Sequence, residues 1–308
     1  MENVYDVIIV GGGPAGLTAG LYTSRSRLKT LLLERFMPGG QVALTDFIEN
    51  YPGFPEGING VDLMQKMEMQ AVRFGLQIEN GEVAKVSLGG DNWKIISNGN
   101  IEYRAKAVII ATGAEPKKLG IPGEEKFHGK GISYCATCDG PFFKEKEVVV
   151  IGGGDSAVEE GIYLTRFGKS VSIIHRRDQL RALKIIQERA FSNPKIKFIW
   201  NSVPVEFIGS STVEEVRIKN VKSTEMSTIP ASGVFIYVGL VPRTEMVKEL
   251  VALDESGNII TDMNMVTSAP GIFAAGDVRK TILRQIAIAV GDGAIAAFSA
   301  EKYIEGNF

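Results

Sequence analysis

YDVIIVGGGPAGLTAGLYTSRSRLKTLLLE, residues 5–34, and KEVVVIGGGDSAVEEGIYLTRFGKSVSIIH, residues 146–175, follow one pattern at one spacing. Each opens on a β-branched apolar run, Val7–Val10 or Val148–Ile151, and meets three consecutive glycines. Each then continues at helical period and closes on a second apolar run. Gly11 to Glu34 spans 23 positions, and so does Gly152 to His175. The pattern predicts a strand–helix–strand unit with parallel strands, used twice.

The glycines carry the chemistry. Gly11 and Gly152 permit a tight turn, Gly13 and Gly154 let the backbone approach a pyrophosphate, and Gly16 or Ala157 allows close helix-on-strand packing. The amides at the helix start then face the phosphates. One such loop is weak against an ordinary Gly-rich turn. Two copies, each followed at equal distance by a residue placed to read a ribose, point to two dinucleotide-binding folds.

The closing residues differ. Glu34 is a carboxylate suited to ribose hydroxyls, so the first unit suits FAD or NAD. The second unit ends in HRRDQLR, with His175, Arg176, Arg177 and Arg181 where an acid would otherwise sit. Guanidinium forks favour a 2′-phosphate, hence NADPH over NADH. The plainer alternative is a solvated strip in which Arg177 pairs with Asp178.

Composition bounds the rest. At 308 residues the chain has length for about two domains. Its 35 glycines make up about 11%, above the usual roughly 7%, without a collagen period. A net charge of −2 provides no broad basic field for nucleic acid or anionic lipid. No apolar run approaches the roughly 18 residues of a membrane span, and MENVYD lacks the features of a secretion signal, so a cytoplasmic chain is expected. Two histidines and two cysteines offer little for a metal site, and none is expected.

Three more apolar runs, VIIATG (108–113), VFIYVG (234–239) and GIFAAGD (271–277), read as buried strands ending near a glycine. Asp277, an acid after such a glycine, is placed to hold a ribityl hydroxyl. A small-residue helix is expected from near Arg284, its first amides facing a flavin ring. Its alternative is a purely structural helix. CATCD (135–139) admits a zinc half-site, two inert thiols, or a redox-active dithiol of Cys135 and Cys138. The last is favoured because two intervening residues bring the sulfurs within bridging reach, and a cytosolic disulfide is usually catalytic. Asp139 would either shuttle a proton or cap a local turn.

In order over nearly the whole chain, GGGPAG, PGGQ (38–41), ENYPGFP (49–55), ATG, CATCD, GGGDSA, HRRDQLRA and FAAGD resemble the low-molecular-weight, bacterial-type thioredoxin reductase family. The position of C-A-T-C-D just before the second fingerprint is the specific mark. The resemblance implies an α/β chain of two Rossmann-like, three-layer ββα domains, the second inserted into the first. Residues 1–114 with 247–308 would bind FAD, and 115–246 would bind NADPH and carry the dithiol. It implies FAD contacts at Gly11, Gly13, Gly16, Glu34, Gly40, Gln41, Asn50, Asp277, Arg284, Gln285 and Ile286. NADPH contacts would be Gly152, Gly154, Asp155, Ser156, His175, Arg176, Arg177 and Arg181.

The resemblance further implies a homodimer passing electrons from NADPH through FAD and the Cys135–Cys138 disulfide to thioredoxin. Cys138 would face the flavin, Cys135 would attack the protein disulfide, and Asp139 would serve as acid–base group. The NADPH domain would rotate between half-reactions, hinged near 114–117 and 242–245. Lys130, Phe142 and Phe143 are expected to touch thioredoxin, although paired phenylalanines are more often core. Four rival readings need comparison: a ferredoxin-fed thioredoxin reductase, an oxygen-using dithiol oxidase, a non-catalytic flavin redox sensor, and a ferredoxin–NADP reductase of related fold, which lacks the cysteines. GGGDSA and HRRDQLR count against the first two, and an intact CATCD against the third.

Overall fold

The computed structural model describes residues 3–90, 93–99 and 101–307. The chain divides into two compact units, Met1–Glu115 with Val241–Phe308, and Pro116–Leu240. The return crossing thus falls six residues earlier than the sequence suggests. The cause is local: Thr112 Oγ1 donates to the Arg243 carbonyl at 2.6 Å and Arg243 N–H donates to Gly113 O at 3.1 Å, which joins this stretch to the first unit.

In the first unit β1 (Val4–Val10), β2 (Thr30–Glu34), β3 (Gln77–Asn80), β4 (Lys85–Leu88), β5 (Lys94–Asn98) and β6 (Ile101–Ile110) lie in the order β3-β2-β1-β6-β5-β4. A last strand, β17 (Ile272–Ala274), also joins β6. The ten-residue β6 serves two partners on one side. Its first half pairs antiparallel with β5, from Asn98↔Ile101 to Lys94↔Ala105, and its second half pairs parallel with β17, from Ile272↔Val108 to Ala274↔Ile110.

Both faces of this sheet are covered, which is why β1 reads as a continuous apolar run rather than an alternating one. Val7 and Ile9 face a core shared with Leu17, Met64 and Ala296 of α1 (Pro14–Arg25), α2 (Gly60–Arg73) and α7 (Ile286–Ile304). Ile8 and Val10 face a second core with Val86, Ile96, Val247 and Val251. Alanines and glycines on α7 let it lie close on α1: a Cβ added at Gly293 would stand 2.2 Å from the Ala15 carbonyl oxygen.

The second unit repeats the scheme. β8 (Ile132–Ser133), β9 (Glu147–Gly152), β10 (Ser170–Ile174), β11 (Ile196–Ile199) and β15 (Gly233–Tyr237) form a parallel sheet in the order β11-β10-β9-β15-β8. Val148 and Val150 pack with α5 (Asp155–Leu164) and α6 (Lys184–Phe191). Val149 and Ile151 pack with Phe207, Val216 and Ile218 of the antiparallel strands β12 (Ser202–Ile208) and β13 (Glu215–Asn220), which β14 (Met226–Pro230) extends. The two short crossing strands, β7 (Ala114–Pro116) and β16 (Leu240–Pro242), pair with each other. Single turns α3 (Glu124–Phe127) and α4 (Ala136–Asp139) flank β8.

Replacing Gly293 by Val should destabilise the fold by at least the ~1–3 kcal/mol of ordinary overpacking, because the clash is with backbone. Urea unfolding of wild type and variant, read by far-UV dichroism, checks this; an unchanged midpoint would show that α7 does not need the close approach.

Candidate functional site

The glycine loop of the first unit leaves β1 through Gly11, whose φ of +104° and a carbonyl oxygen of Ala111 2.4 Å from where a Cβ would stand both require glycine. α1 then starts at Gly13 with no side-chain cap and no acid in its first turn. A Cβ at Gly13 would meet nothing within 4 Å, so the uncapped amides open onto free space. Glu34, at the end of β2, stands beside this loop, its carboxylate accepting from Gly12 N–H at 2.7 Å and Phe36 N–H at 3.2 Å. Gly39 N–H donates to Gly12 O at 2.8 Å, which holds Gly40 beside Gly13: a Cβ added at Gly40 would stand 3.5 Å from Gly13 Cα.

At the far end of the unit, Asn50 Nδ2 donates to Gln285 Oε1 at 3.1 Å, joining two segments distant in sequence. α7 begins at Ile286, with extended Gln285 before it, two residues later than expected from Arg284. Arg284 donates through Nη2 to Asn258 Oδ1 at 2.9 Å, and its buried Nε has no protein partner. Asp277 lies on the turn Gly276–Val278. Burial lifts its carboxyl above the ordinary aspartate value against the opposing pull of Arg284, with Asp292 adding to the rise. Sequence reasoning missed what holds this turn: buried Asp292 accepts from Gly276 N–H at 3.1 Å and from Arg279 at 2.7 and 2.9 Å. Gln41 is exposed and Gly16 buried under the loop. An uncapped helix start, an open glycine face and an orphaned buried guanidine nitrogen fit a phosphate-bearing dinucleotide.

In the second unit α5 likewise starts uncapped, at Gly154. The nearest atom to a Cβ there is Nη2 of Arg181, at 4.0 Å. The basic loop is tied down onto the glycine loop, Arg181 N–H donating to Gly153 O at 2.7 Å and Leu183 N–H to Asp155 Oδ1 at 2.8 Å. Asp155 is therefore spent on backbone, while Ser156 is exposed. Arg176, Arg177 and Arg181 line a pocket of about 430 Å³. Lys222, which the sequence did not bring forward, lines it too. Asp178 pairs with Lys222 at 2.9 Å, so the Arg177–Asp178 strip of the plainer reading is not what forms.

His175 does not line the pocket. Its buried ring lies where a Cβ on Gly153 would stand, 2.3 Å from its Nδ1, and Nε2 has no protein partner. Burial, then the charges of Arg181, Arg177 and Arg176, hold it below the ordinary histidine value.

Cys135 and Cys138 form a disulfide with Cα atoms 5.4 Å apart. Edge strand β8 delivers them at the same sheet end as the nucleotide loop, since Tyr237 of β15 pairs in register with Gly152. Ser133 Oγ accepts from Cys135 N–H at 3.0 Å, and Tyr134 donates to Glu124 at 2.6 Å. Burial would raise Glu124, but hydrogen bonds from Tyr134 and the amides of Leu119 and Gly120 outweigh it and hold the carboxylate below its usual range. Ala136 N–H donates to the Tyr237 hydroxyl at 2.9 Å. Burial, reinforced by Glu160 and Asp139, keeps that phenol protonated well above its ordinary range. Asp139 ends the α4 turn, its N–H bonded to Cys135 O at 3.2 Å.

One expected partner contact is corrected. Phe143 is buried, its ring edge-on to Phe235 at 5.4 Å, because it fills the space over Gly233. Phe142 is 73% exposed, and Lys130 is exposed.

The pyridine nucleotide-disulphide oxidoreductase model matches residues 5–293, and the chain belongs to that family. It is 53% identical to a thioredoxin reductase of Listeria innocua over 99% of this chain and 95% of the relative. The solved thioredoxin reductase of Lactococcus lactis is 54% identical with a TM-score of 0.96, covering 98% of this chain and 99% of that one. That of Streptococcus pyogenes is 51% identical with a TM-score of 0.66, covering 99% and 100%.

Tyr237 is the unforeseen residue at the dithiol. Tyr237→Phe leaves the Ala136 amide unpaired in the disulfide form, a loss of about 1–3 kcal/mol. At about 30 mV per 1.4 kcal/mol the dithiol potential should rise by roughly 20–60 mV. A redox titration checks it, and an unchanged potential would reduce the bond to packing.

Proposed function

We propose that the chain is an NADPH-dependent thioredoxin-disulfide reductase. The observation that carries this is a bonded Cys135–Cys138 pair at the same sheet end as an uncapped glycine loop and a pocket of arginines. When bound, NADPH supplies a hydride and FAD relays its electron pair toward the disulfide. The first unit would hold FAD through the amides after Gly11 and Gly13, with Glu34 available to a ribose and Asp277 and the Asn50–Gln285 pair to the rest of the cofactor. The second would hold NADPH on the loop from Gly152 to Gly154, where Arg176, Arg177 and Arg181 would supply guanidinium donors for a 2′-phosphate.

With both cysteines reduced, the Cys135 thiolate attacks one sulfur of the thioredoxin disulfide, and the other thioredoxin sulfur leaves as a thiolate. Cys138 then attacks Cys135 Sγ, restoring the internal disulfide and releasing the second thioredoxin thiol. Asp139, next to Cys138, moves the proton between that thiol and solvent. Lys130 and exposed Phe142 contact thioredoxin. The enzyme works as a cytoplasmic homodimer, and among the described residues no helix is long and apolar enough to cross a membrane.

Rotation of the second unit about the paired crossings lets one nucleotide site and one dithiol serve the same flavin in turn.

Anaerobic mixing tests the reading. NADPH should bleach the yellow protein at concentrations where NADH does not, and thioredoxin should restore the colour. Cys135→Ser should still bleach but lose thioredoxin reduction to background. Failure of NADPH to bleach the FAD-loaded protein would defeat the assignment.

Phe142→Ala should raise the KM for thioredoxin several-fold while leaving NADPH-driven bleaching at the wild-type rate. Stopped-flow and steady-state assays read the two separately, and an unchanged KM would take Phe142 out of the interface.

A further inference from the structure

We infer that Lys222 is a specificity-determining residue for the nucleotide phosphate, the fourth cation of the basic pocket; this rests on the reading of that pocket as the 2′-phosphate site. Lys222 lies 41 positions beyond Arg181, on the turn between β13 and β14, outside the fingerprint from which the other three cations are legible. The fold nevertheless fixes its backbone to theirs. Asn201 N–H donates to the Arg177 carbonyl at 3.1 Å, and Val221 N–H donates to the Asn201 carbonyl at 2.7 Å. Two backbone hydrogen bonds therefore dock the hairpin onto the basic loop. The turn itself is set by Asn220 Oδ1, which accepts from the N–H groups of Lys222 and Ser223 at 2.9 and 3.0 Å.

The charge pattern gives the residue its role. The pocket lining includes three guanidiniums and one carboxylate, Asp178. That carboxylate would repel a phosphate dianion. Lys222 Nζ stands 2.9 Å from it, and both side chains are more than half exposed, at 65% and 61%. An exposed pair of this kind contributes little to stability, so a purely structural purpose explains its place at the pocket poorly. For an incoming phosphate Lys222 does two things: it cancels Asp178, and it presents an ammonium whose remaining protons can turn to the ligand. A nucleotide with a bare 2′-hydroxyl gains almost nothing from either effect.

The test uses the FAD-loaded enzyme with thioredoxin, NADPH and NADH in turn, and adenosine 2′,5′-bisphosphate as competing probe. Lys222→Ala should raise the KM for NADPH and the inhibition constant of the bisphosphate by about tenfold, as expected for one lost charge-assisted bond. The KM for NADH should not move, and kcat at saturating NADPH should hold. Lys222→Arg should restore most of the loss. Asp178→Asn on the Lys222→Ala background should recover part of it. Arg177→Ala serves as the reference for the pocket. If Arg177→Ala weakens NADPH selectively while Lys222→Ala shifts neither nucleotide, or both equally, the role of Lys222 is overturned and the pocket assignment stands. If neither variant separates NADPH from NADH, the pocket is not the 2′-phosphate site and both readings fall.

Discussion

Each unit depends on a glycine at the end of a parallel strand whose missing side chain is replaced by a neighbouring strand's carbonyl. At Gly11 that oxygen belongs to Ala111, 2.4 Å from a would-be Cβ, and at Gly152 it belongs to Tyr237, at 2.3 Å. Only a residue without a Cβ lets the chain turn so tightly against the next strand and enter a helix at once. The helix then starts with no side chain capping its first amides.

In the second unit the same contact reaches the redox centre. The carbonyl of Tyr237 abuts Gly152, while its hydroxyl receives the amide of Ala136 between the two cysteines. One residue at the end of β15 thus shapes both the nucleotide loop and the dithiol turn. Sheet order explains how: β9, β15 and β8 are successive neighbours, so their ends lie side by side whatever their distance along the chain. Charge is equally local. A chain with net charge of −2 concentrates four cations around one pocket and leaves a carboxylate at the corresponding place in the other unit.

Much of this was legible from sequence because it rests on short-range rules. The two strand–glycine–helix units, the apolar strands within 108–113 and 234–239, and two cysteines with two residues between them are local patterns with local causes. Phe143 was misjudged because a sequence shows two adjacent phenylalanines but not the ring of Phe235 that one of them meets. His175 stood in the right motif, yet its ring is packed under Gly153 rather than turned to the pocket. The return crossing moved because Arg243 bonds to Gly113 and Thr112, partners about 130 residues away.

The sequence by itself determined the repeated strand–glycine–helix unit, its unequal acidic and basic ends at Glu34 and HRRDQLR, and a cysteine pair, Cys135 and Cys138, spaced to bridge. Backbone freedom, charge and spacing are properties of neighbouring residues, and they act before the chain has folded. Tertiary structure alone decided that Tyr237 holds the dithiol turn, that Asp292 holds the turn bearing Asp277, and that Lys222 faces Asp178. Those contacts join residues 16, 44 and 101 positions apart on different elements, and no local rule brings them together; sheet order and the packing of two cores do.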